Sequence, residues 1–126
     1  MKVWLLSLGC LIFFLYGSCL IQSSLDRTAD RLNQQLGEIE LELIARDWKQ
    51  TLLKLNTFQQ NWEKVKPYWA ILTNHNEMDL VEEALIKTIR ATLCRSYNDA
   101  MINLGSLQDG IKHIPERERF SFVNVF

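Results

Sequence analysis

The stretch from residue 25 to residue 43, LDRTADRLNQQLGEIELEL, decides the fold. Its apolar side chains recur at alternating steps of four and three residues: Leu25, Ala29, Leu32, Leu36, Ile39 and Leu43. Because an α-helix turns once every ~3.6 residues, this spacing puts all six on one stripe of the helix. The stretch therefore predicts an amphipathic helix that packs against other helices.

On the N-terminal side, the chain from Val3 to Ile21 carries no charge, and Lys2 precedes it. At about 1.5 Å per residue, such a helix just spans a hydrocarbon core of about 30 Å. Residues 1–22 are therefore predicted to be a membrane anchor or signal segment. Nothing between Ile21 and Leu25 breaks a helix, so the anchor is able to run straight into the first helix.

Several fates of this segment stay open. An uncleaved anchor needs only length and apolarity, whereas a lipoprotein signal needs a cysteine after small residues, as in Gly17-Ser18-Cys19. Tyr16 stands where lipoprotein signals carry Leu, Val or Ile, and no A-x-A cleavage site follows it. A cleaved signal or a buried core helix is the remaining alternative. Lys2 favours an inside N-terminus, so residues 23–126 are predicted to be an extracytoplasmic helical domain of a single-pass cell-membrane protein.

On the C-terminal side, a second helix is predicted to begin at Trp48, with Asp47 as N-cap and Gln50 as its capping-box partner. Its apolar stripe passes through Pro67, where either a kink or a break is expected. The stripe consists of Trp48, Leu52, Leu55, Phe58, Trp62, Val65, Trp69 and Leu72.

Two more helices follow. Residues 73–79 have the composition of a turn, and Asp79 is predicted to cap a third helix from Leu80 to about Cys94. This helix is apolar on more than one face, which predicts neighbours on two sides. A fourth helix is predicted to start near residues 96–98 and to end at Pro115, with Phe120, Phe122, Val123 and Phe126 docking back on the bundle.

An internal repeat supports a pair of hairpins. The segment RDWKQTLLKL from Arg46 resembles RSYNDAMINL from Arg95, 49 positions later. Two tandem helical hairpins, weakly similar to tetratricopeptide units, would explain the match. The predicted fold is therefore all-α, with an N-terminal anchor followed by an up-down four-helix bundle.

Composition argues against several classes of function. The net charge is -1, with 14 basic and 15 acidic residues interspersed along the chain, so we expect no nucleic-acid partner. The three cysteines form no CxxC pair or disulfide framework, and the chain has no glycine-rich phosphate loop and no recognisable catalytic triad. We therefore expect neither a cofactor nor enzymatic activity.

His75, Glu77 and Asp79 are the weak candidates for a metal site. On a helix, residues two apart point roughly to opposite sides, so only an extended segment or a loop could bring all three to one ion. The main expectation is that Asp79 caps a helix while His75 and Glu77 lie in the turn. The alternative is a metal-dependent envelope enzyme built on these three residues. His113, the other imidazole, is expected in the last turn of a helix, near its free carbonyls.

The apolar residues suggest where a partner would bind. Trp62 and Trp69 recur at helical spacing, which is typical of core residues, although an aromatic groove that binds a partner helix or a sugar is the alternative. The exposed part of this stripe, or the surplus apolar face of the third helix with Leu80 and Ile86, is the expected partner-binding surface.

Several motifs together resemble a family of small membrane-anchored helical proteins of unknown function from clostridia and related Gram-positive spore formers. The residues that carry this resemblance are Asp47-Trp48, Trp62-Glu63-Lys64, Trp69, His75-x-Glu77-x-Asp79, His113-Ile114-Pro115-Glu116 and Asn124-Val125-Phe126. The resemblance implies an extracytoplasmic helical domain behind an anchor in the lipid bilayer, and an association with a multi-pass membrane protein. We therefore expect a non-enzymatic accessory or assembly factor for a membrane or envelope protein, or alternatively a lipoprotein that scaffolds the envelope.

Overall fold

A computed structural model describes the backbone of residues 2–125 and the side chains of residues 2–115. Within that backbone the chain forms four helices and no strand, which confirms the predicted all-α class. The helices are α1 (Lys2–Ile44), α2 (Trp48–Leu72), α3 (His75–Leu93) and α4 (Tyr97–Val125).

The four helices surround one core. Both α1 and α3 pack against α2 and α4, so α3 has the two neighbours that its apolar faces predict. Polar contacts connect neighbouring helices at their edges: Lys54 Nζ lies 3.0 Å from Glu42 Oε1, and Gln108 Nε2 donates to Glu40 Oε2 at 3.1 Å. The short turns between successive helices make neighbours antiparallel, as in an up-down bundle.

The first helix is continuous from the apolar segment into the bundle. Its six predicted stripe residues are all buried, at 4% exposure or less, which confirms the periodicity. Residues 3–21 belong to the same helix, but their apolar side chains are mostly exposed, and Trp4 is 83% exposed. The N-terminal part of α1 is long and apolar enough to cross a membrane, and none of it is buried in the bundle.

Two matching turns connect the helices within each hairpin. Arg46 and Arg95 both have a left-handed backbone, with φ of 57° and 54°. At each of these helix ends, two backbone N–H groups donate to carbonyl oxygens near the end of the preceding helix. In the first turn Asp47 N donates to Glu42 O and Arg46 N to Leu43 O. In the second turn Ser96 N donates to Ala91 O and Arg95 N to Thr92 O. These are the bonds of the Schellman motif, here formed with arginine where glycine is usual.

The repeat of 49 positions holds through the core. Nine buried residues of the first hairpin have a buried counterpart in the second. The pairs are Ala29 and Met78, Leu32 and Val81, Leu36 and Leu85, Ile39 and Thr88, Leu43 and Thr92, Thr51 and Ala100, Leu55 and Leu104, Phe58 and Leu107, and Trp62 and Ile111. The hairpins are therefore related by an approximate two-fold axis along the bundle, and Arg46 of one turn stacks 4.3 Å above the Tyr97 ring of the other.

Prolines lie inside two of the helices. The second helix passes through Pro67 without a break, so its apolar stripe continues as predicted and the alternative of a break is wrong. The fourth helix also passes through Pro115, so the prediction that it ends there is wrong. Pro115 is buried, and Gln22 Nε2 donates to its carbonyl at 3.2 Å, so packing against α1 holds the backbone at this point. The predicted docking of Phe120, Phe122, Val123 and Phe126 lies outside the described side chains.

Candidate interaction surface

The predicted cap of α3 is wrong. The helix begins at His75, and Asn74 is its N-cap, with Asn74 Oδ1 accepting from Asn76 N at 3.1 Å. Asp79 therefore lies in the second turn, exposed to solvent. The sequence contains the correct signal, because Asn74 and Glu77 have the spacing of a capping box, as Asp79 and Glu82 also do.

The helix separates the three weak metal candidates. His75 and Asp79 are one turn apart and share a face, whereas Glu77 points to a different side. Glu77 instead lines a small cavity of about 50 Å³ with His113 of α4. Among the described side chains, no group of three or more His, Cys, Asp or Glu residues is placed to hold a metal ion.

His113 does not lie in the last turn of its helix. Because α4 continues to Val125, the ring is at the surface of a helix interior, with Nδ1 2.6 Å from the carbonyl oxygen of Asp109. The predicted contact with free terminal carbonyls is therefore wrong. The ring bonds to a carbonyl of its own helix, one turn back.

Both tryptophans proposed for a groove lie in the core. Trp62 is 0% and Trp69 2% exposed, and their rings meet edge to face with centroids 5.7 Å apart and planes at 89°. Edge-to-face contact is a favourable arrangement of two aromatic quadrupoles. The core interpretation of this stripe therefore accounts for their positions, and Trp62 offers no exposed surface to a partner.

Leu80 and Ile86 are both exposed, at 61% and 47%, but they do not form one patch. Six residues on a helix correspond to a separation of about 120° around the axis. Leu93, which is 63% exposed and seven residues after Ile86, lies on nearly the same side as Ile86. The outward apolar face of α3 therefore consists of Ile86 and Leu93, and we call these two residues the α3 face.

An ion pair connects α2 to α3 near this face. Lys66 Nζ contacts Glu82 Oε1, and the hydrogen bond to this carboxylate raises the pKa of Lys66 above its ordinary value, although partial burial opposes the rise. Along α3, Glu83 pairs with Lys87 at 2.8 Å, and that hydrogen bond lowers the pKa of Glu83. Both pairs are solvent-accessible, so they contribute little to stability.

A groove that was not predicted from the sequence lies between α1 and α2. It has a volume of about 400 Å³ and lies at the end of the bundle next to the apolar segment. Its lining residues are Ile21, Ser24, Leu25, Thr28, Lys64, Val65, Tyr68, Trp69 and Leu72. One sequence signal for it exists: Ile21 extends the stripe of the first helix by a further step of four residues before Leu25.

The three cysteines are separate and exposed. Cys19 lies within α1, near the C-terminal end of the apolar segment, and Cys10 lies two to three turns before it. Cys94 is the C-cap residue of α3. No disulfide connects these residues.

The sequence profile of a family described as "Domain of unknown function (DUF4363)" matches residues 19–125. No curated protein and no solved structure matches the chain. The family match covers the whole bundle and begins at Cys19, inside α1.

Proposed function

The chain belongs to the family described as a domain of unknown function (DUF4363), and from its architecture we propose that it is a membrane-tethered, non-enzymatic interaction domain. In this proposal α1 crosses the cell membrane once, with its N-terminus inside and the bundle outside. The bundle acts as an accessory or assembly factor for a membrane or envelope protein.

One observation carries this proposal: α1 is a single helix whose C-terminal part is core and whose N-terminal part is apolar but exposed. Exposed apolar surface costs about 25 cal/mol per Å² in water, so residues 3–21 call for a hydrocarbon environment. Soluble proteins rarely leave a continuous apolar surface of this size uncovered. A bilayer covers it without any further protein.

The α3 face is the surface that we assign to the partner. Ile86 and Leu93 lie on the outside of a helix that already has two neighbours, so the bundle does not need them for its own core. An apolar helix or strand of the partner would cover them. A matched surface elsewhere is Ile102 on α4, which is 67% exposed and lies on a different helix.

The test is affinity purification of the tagged full chain from cross-linked, detergent-solubilised membranes of its native host. We expect one membrane protein in near-equal amount, and we expect Ile86→Lys to reduce its recovery at least fivefold. Ile102→Lys introduces the same charge on α4 and should leave recovery unchanged. Recovery of the bait alone, under conditions that keep known complexes intact, would refute the proposal. If the two variants lose partner recovery equally, the α3 face is not the partner-binding surface.

A second candidate is a lipoprotein that scaffolds the envelope, with lipid attached at Cys19. The exposure of Cys19 and the start of the family match at this residue favour it. Metabolic labelling with a fatty-acid analogue tests it directly. Labelling that disappears in Cys19→Ser but persists in Cys10→Ser would establish the lipoprotein, and absence of labelling in the unmodified chain would exclude it.

A further inference from the structure

The groove between α1 and α2 has the dimensions of a small-ligand site. Its volume of about 400 Å³ lies within the range of about 300–1,000 Å³ that is typical of ligand pockets. Most of its wall is apolar, with Leu25 and Trp69 among the lining residues, and Lys64 is its one charged residue. This combination suits an amphiphile with an apolar chain and a negative group.

The groove begins where the apolar segment ends. Ile21 is the last residue of that segment and also lines the groove. If α1 spans a bilayer, the groove therefore opens at the boundary between the hydrocarbon and the headgroups. This step rests on the proposed function, because it requires the membrane position of α1.

The ammonium of the charged residue is able to reach the height of the headgroups. Thr28 and Lys64 line the groove together, and Thr28 is seven residues, or about 10 Å, beyond Ile21 along α1. The headgroup layer is about 5–8 Å thick on each side of a bilayer. A lysine reaches several ångströms along its stem, so the Lys64 ammonium is able to meet a lipid phosphate. Among the described side chains, Lys64 belongs to none of the ion pairs.

The surroundings of the groove match a membrane surface. Tyr68 and Ile71, at the same end of α2, are 72% and 84% exposed. Tyrosine is enriched at membrane interfaces, where its ring is apolar and its hydroxyl stays hydrated. An exposed isoleucine beside it is stabilised by lipid rather than by water.

The size of the groove favours an acyl chain over a protein helix. A helix with side chains is about 10–12 Å wide and rises about 5.4 Å per turn, so one turn occupies about 400–600 Å³. The groove would therefore hold at most one turn of a partner helix. A flexible acyl chain has no such minimum width.

We propose that this groove binds an acyl chain of an anionic bilayer phospholipid, with the phosphate of that lipid at Lys64. The lipid would then be a structural ligand that fixes the height of the bundle above the bilayer. Ser24, exposed and lining the groove, marks the position at which a larger side chain would block it.

The test uses tryptophan fluorescence in the full chain, reconstituted into phosphatidylcholine vesicles that contain one-fifth phosphatidylglycerol with brominated acyl chains. The double variant Trp4→Phe, Trp48→Phe retains only the core pair, of which Trp69 lines the groove. Bromine quenches tryptophan on contact, so we expect brominated phosphatidylglycerol to quench this pair. Ser24→Phe should reduce the quenching at least twofold, whereas Ser23→Phe, on the neighbouring exposed position, should not.

Charge is tested separately. Lys64→Glu should lower the preference for brominated phosphatidylglycerol over brominated phosphatidylcholine by about fivefold or more, as expected for a basic residue near an anionic surface. Lys49→Glu makes the same change at the far end of α2 and should have no such effect. Both lysine variants are made in the Trp4→Phe, Trp48→Phe background, and equal quenching of that double variant by the two lipids would overturn the assignment of the phosphate to Lys64.

The experiment distinguishes two errors: that the groove binds no lipid, and that α1 does not lie in the membrane. Trp4 lies in the apolar segment, so the unmodified chain should be quenched more than its Trp4→Phe variant. If Trp4 is quenched and the core pair is not, the groove is empty of lipid and the inference is wrong while the proposed function stands. If brominated lipid does not quench Trp4 either, the membrane position itself is wrong.

Discussion

Replacement of Trp62 by alanine is expected to lower the free energy of unfolding by about 3–5 kcal/mol. Trp62 is 0% exposed and contacts Trp69 edge to face, so alanine leaves a large cavity and also removes an aromatic pair worth about 0.5–1.5 kcal/mol. A domain of this size has a total stability of about 5–15 kcal/mol. The variant would therefore lose a large part of its stability.

The indole N–H of Trp62 refines this prediction. Nε1 is buried and has no hydrogen-bond partner among the described residues, and a buried unpaired donor costs about 1–3 kcal/mol. Phenylalanine keeps an aromatic ring and removes that donor. Trp62→Phe is therefore expected to cost less than about 2 kcal/mol, well below the alanine variant.

Urea unfolding of the full chain in nonionic micelles, followed by far-ultraviolet circular dichroism, measures these differences. With a typical slope of about 1–3 kcal/mol per molar urea, Trp62→Ala should lower the midpoint by at least about 1 M. Trp48→Ala is the control, because Trp48 is half-buried at the first position of α2 and should cost less than half as much. Equal midpoints for the two alanine variants would show that Trp62 is not the central core residue described above.

Three further predictions concern the backbone and one ion pair. Pro67→Ala should stabilise the chain by about 1–3 kcal/mol, measured by urea unfolding, because alanine restores a backbone donor inside a continuous helix; a lower stability would mean that the helix depends on the proline. Arg95→Gly should raise the melting temperature, because glycine adopts the left-handed backbone without the strain of an arginine. Arg46→Gly should raise it less, because this variant also loses the contact with Tyr97. Equal increases in melting temperature would show that the Tyr97 contact does not stabilise the fold. Glu82 raises the pKa of Lys66, so this ion pair should stabilise the fold at pH values below the unfolded pKa of lysine, about 10.4. The stabilisation should disappear as the pH rises through the raised pKa of Lys66 in the folded chain. Urea midpoints measured from pH 9 to 12 should show this loss in the unmodified chain and not in Glu82→Gln.

The helices were predictable because their apolar stripes satisfy both local spacing and tertiary packing. Leu36 and Leu104, for example, are fully buried at positions given by the sequence period alone. The repeat was also visible, because Arg46 and Arg95 begin similar segments and both prove to be left-handed turn residues. Two hairpins built from the same pattern need the same turn at the same place.

The boundaries were less predictable, because local rules compete there. Asn74 and Asp79 are both good N-caps, and the sequence does not rank them, whereas the folded chain uses the earlier one. Local rules end a helix at a proline such as Pro115, because proline removes a backbone hydrogen bond. A tertiary contact can nevertheless keep the helix continuous. The hydrogen bond from Gln22, 93 positions away, is such a contact, and sequence spacing gives no sign of it.

The groove could not be predicted for a related reason. The groove depends on where α1 leaves the bundle relative to the C-terminal end of α2. It also depends on which side chains of these two antiparallel helices lie at the same height. Thr28 and Lys64 are far apart in sequence and meet only through the hairpin geometry. Periodicity identifies the face of a helix that is buried, but not a gap in what covers it.

The continuity of α1 has a mechanical consequence. Residues 22–44 make a rigid arm about 35 Å long between the end of the apolar segment and the turn at Arg46. With α1 in a bilayer, a change of 10° in its tilt would move that turn sideways by about 6 Å, and rotation of the span about its axis would turn the α3 face with it. Bilayer thickness, and any protein that binds the membrane-spanning part of α1, would thereby determine the position of the bundle without a change in its fold.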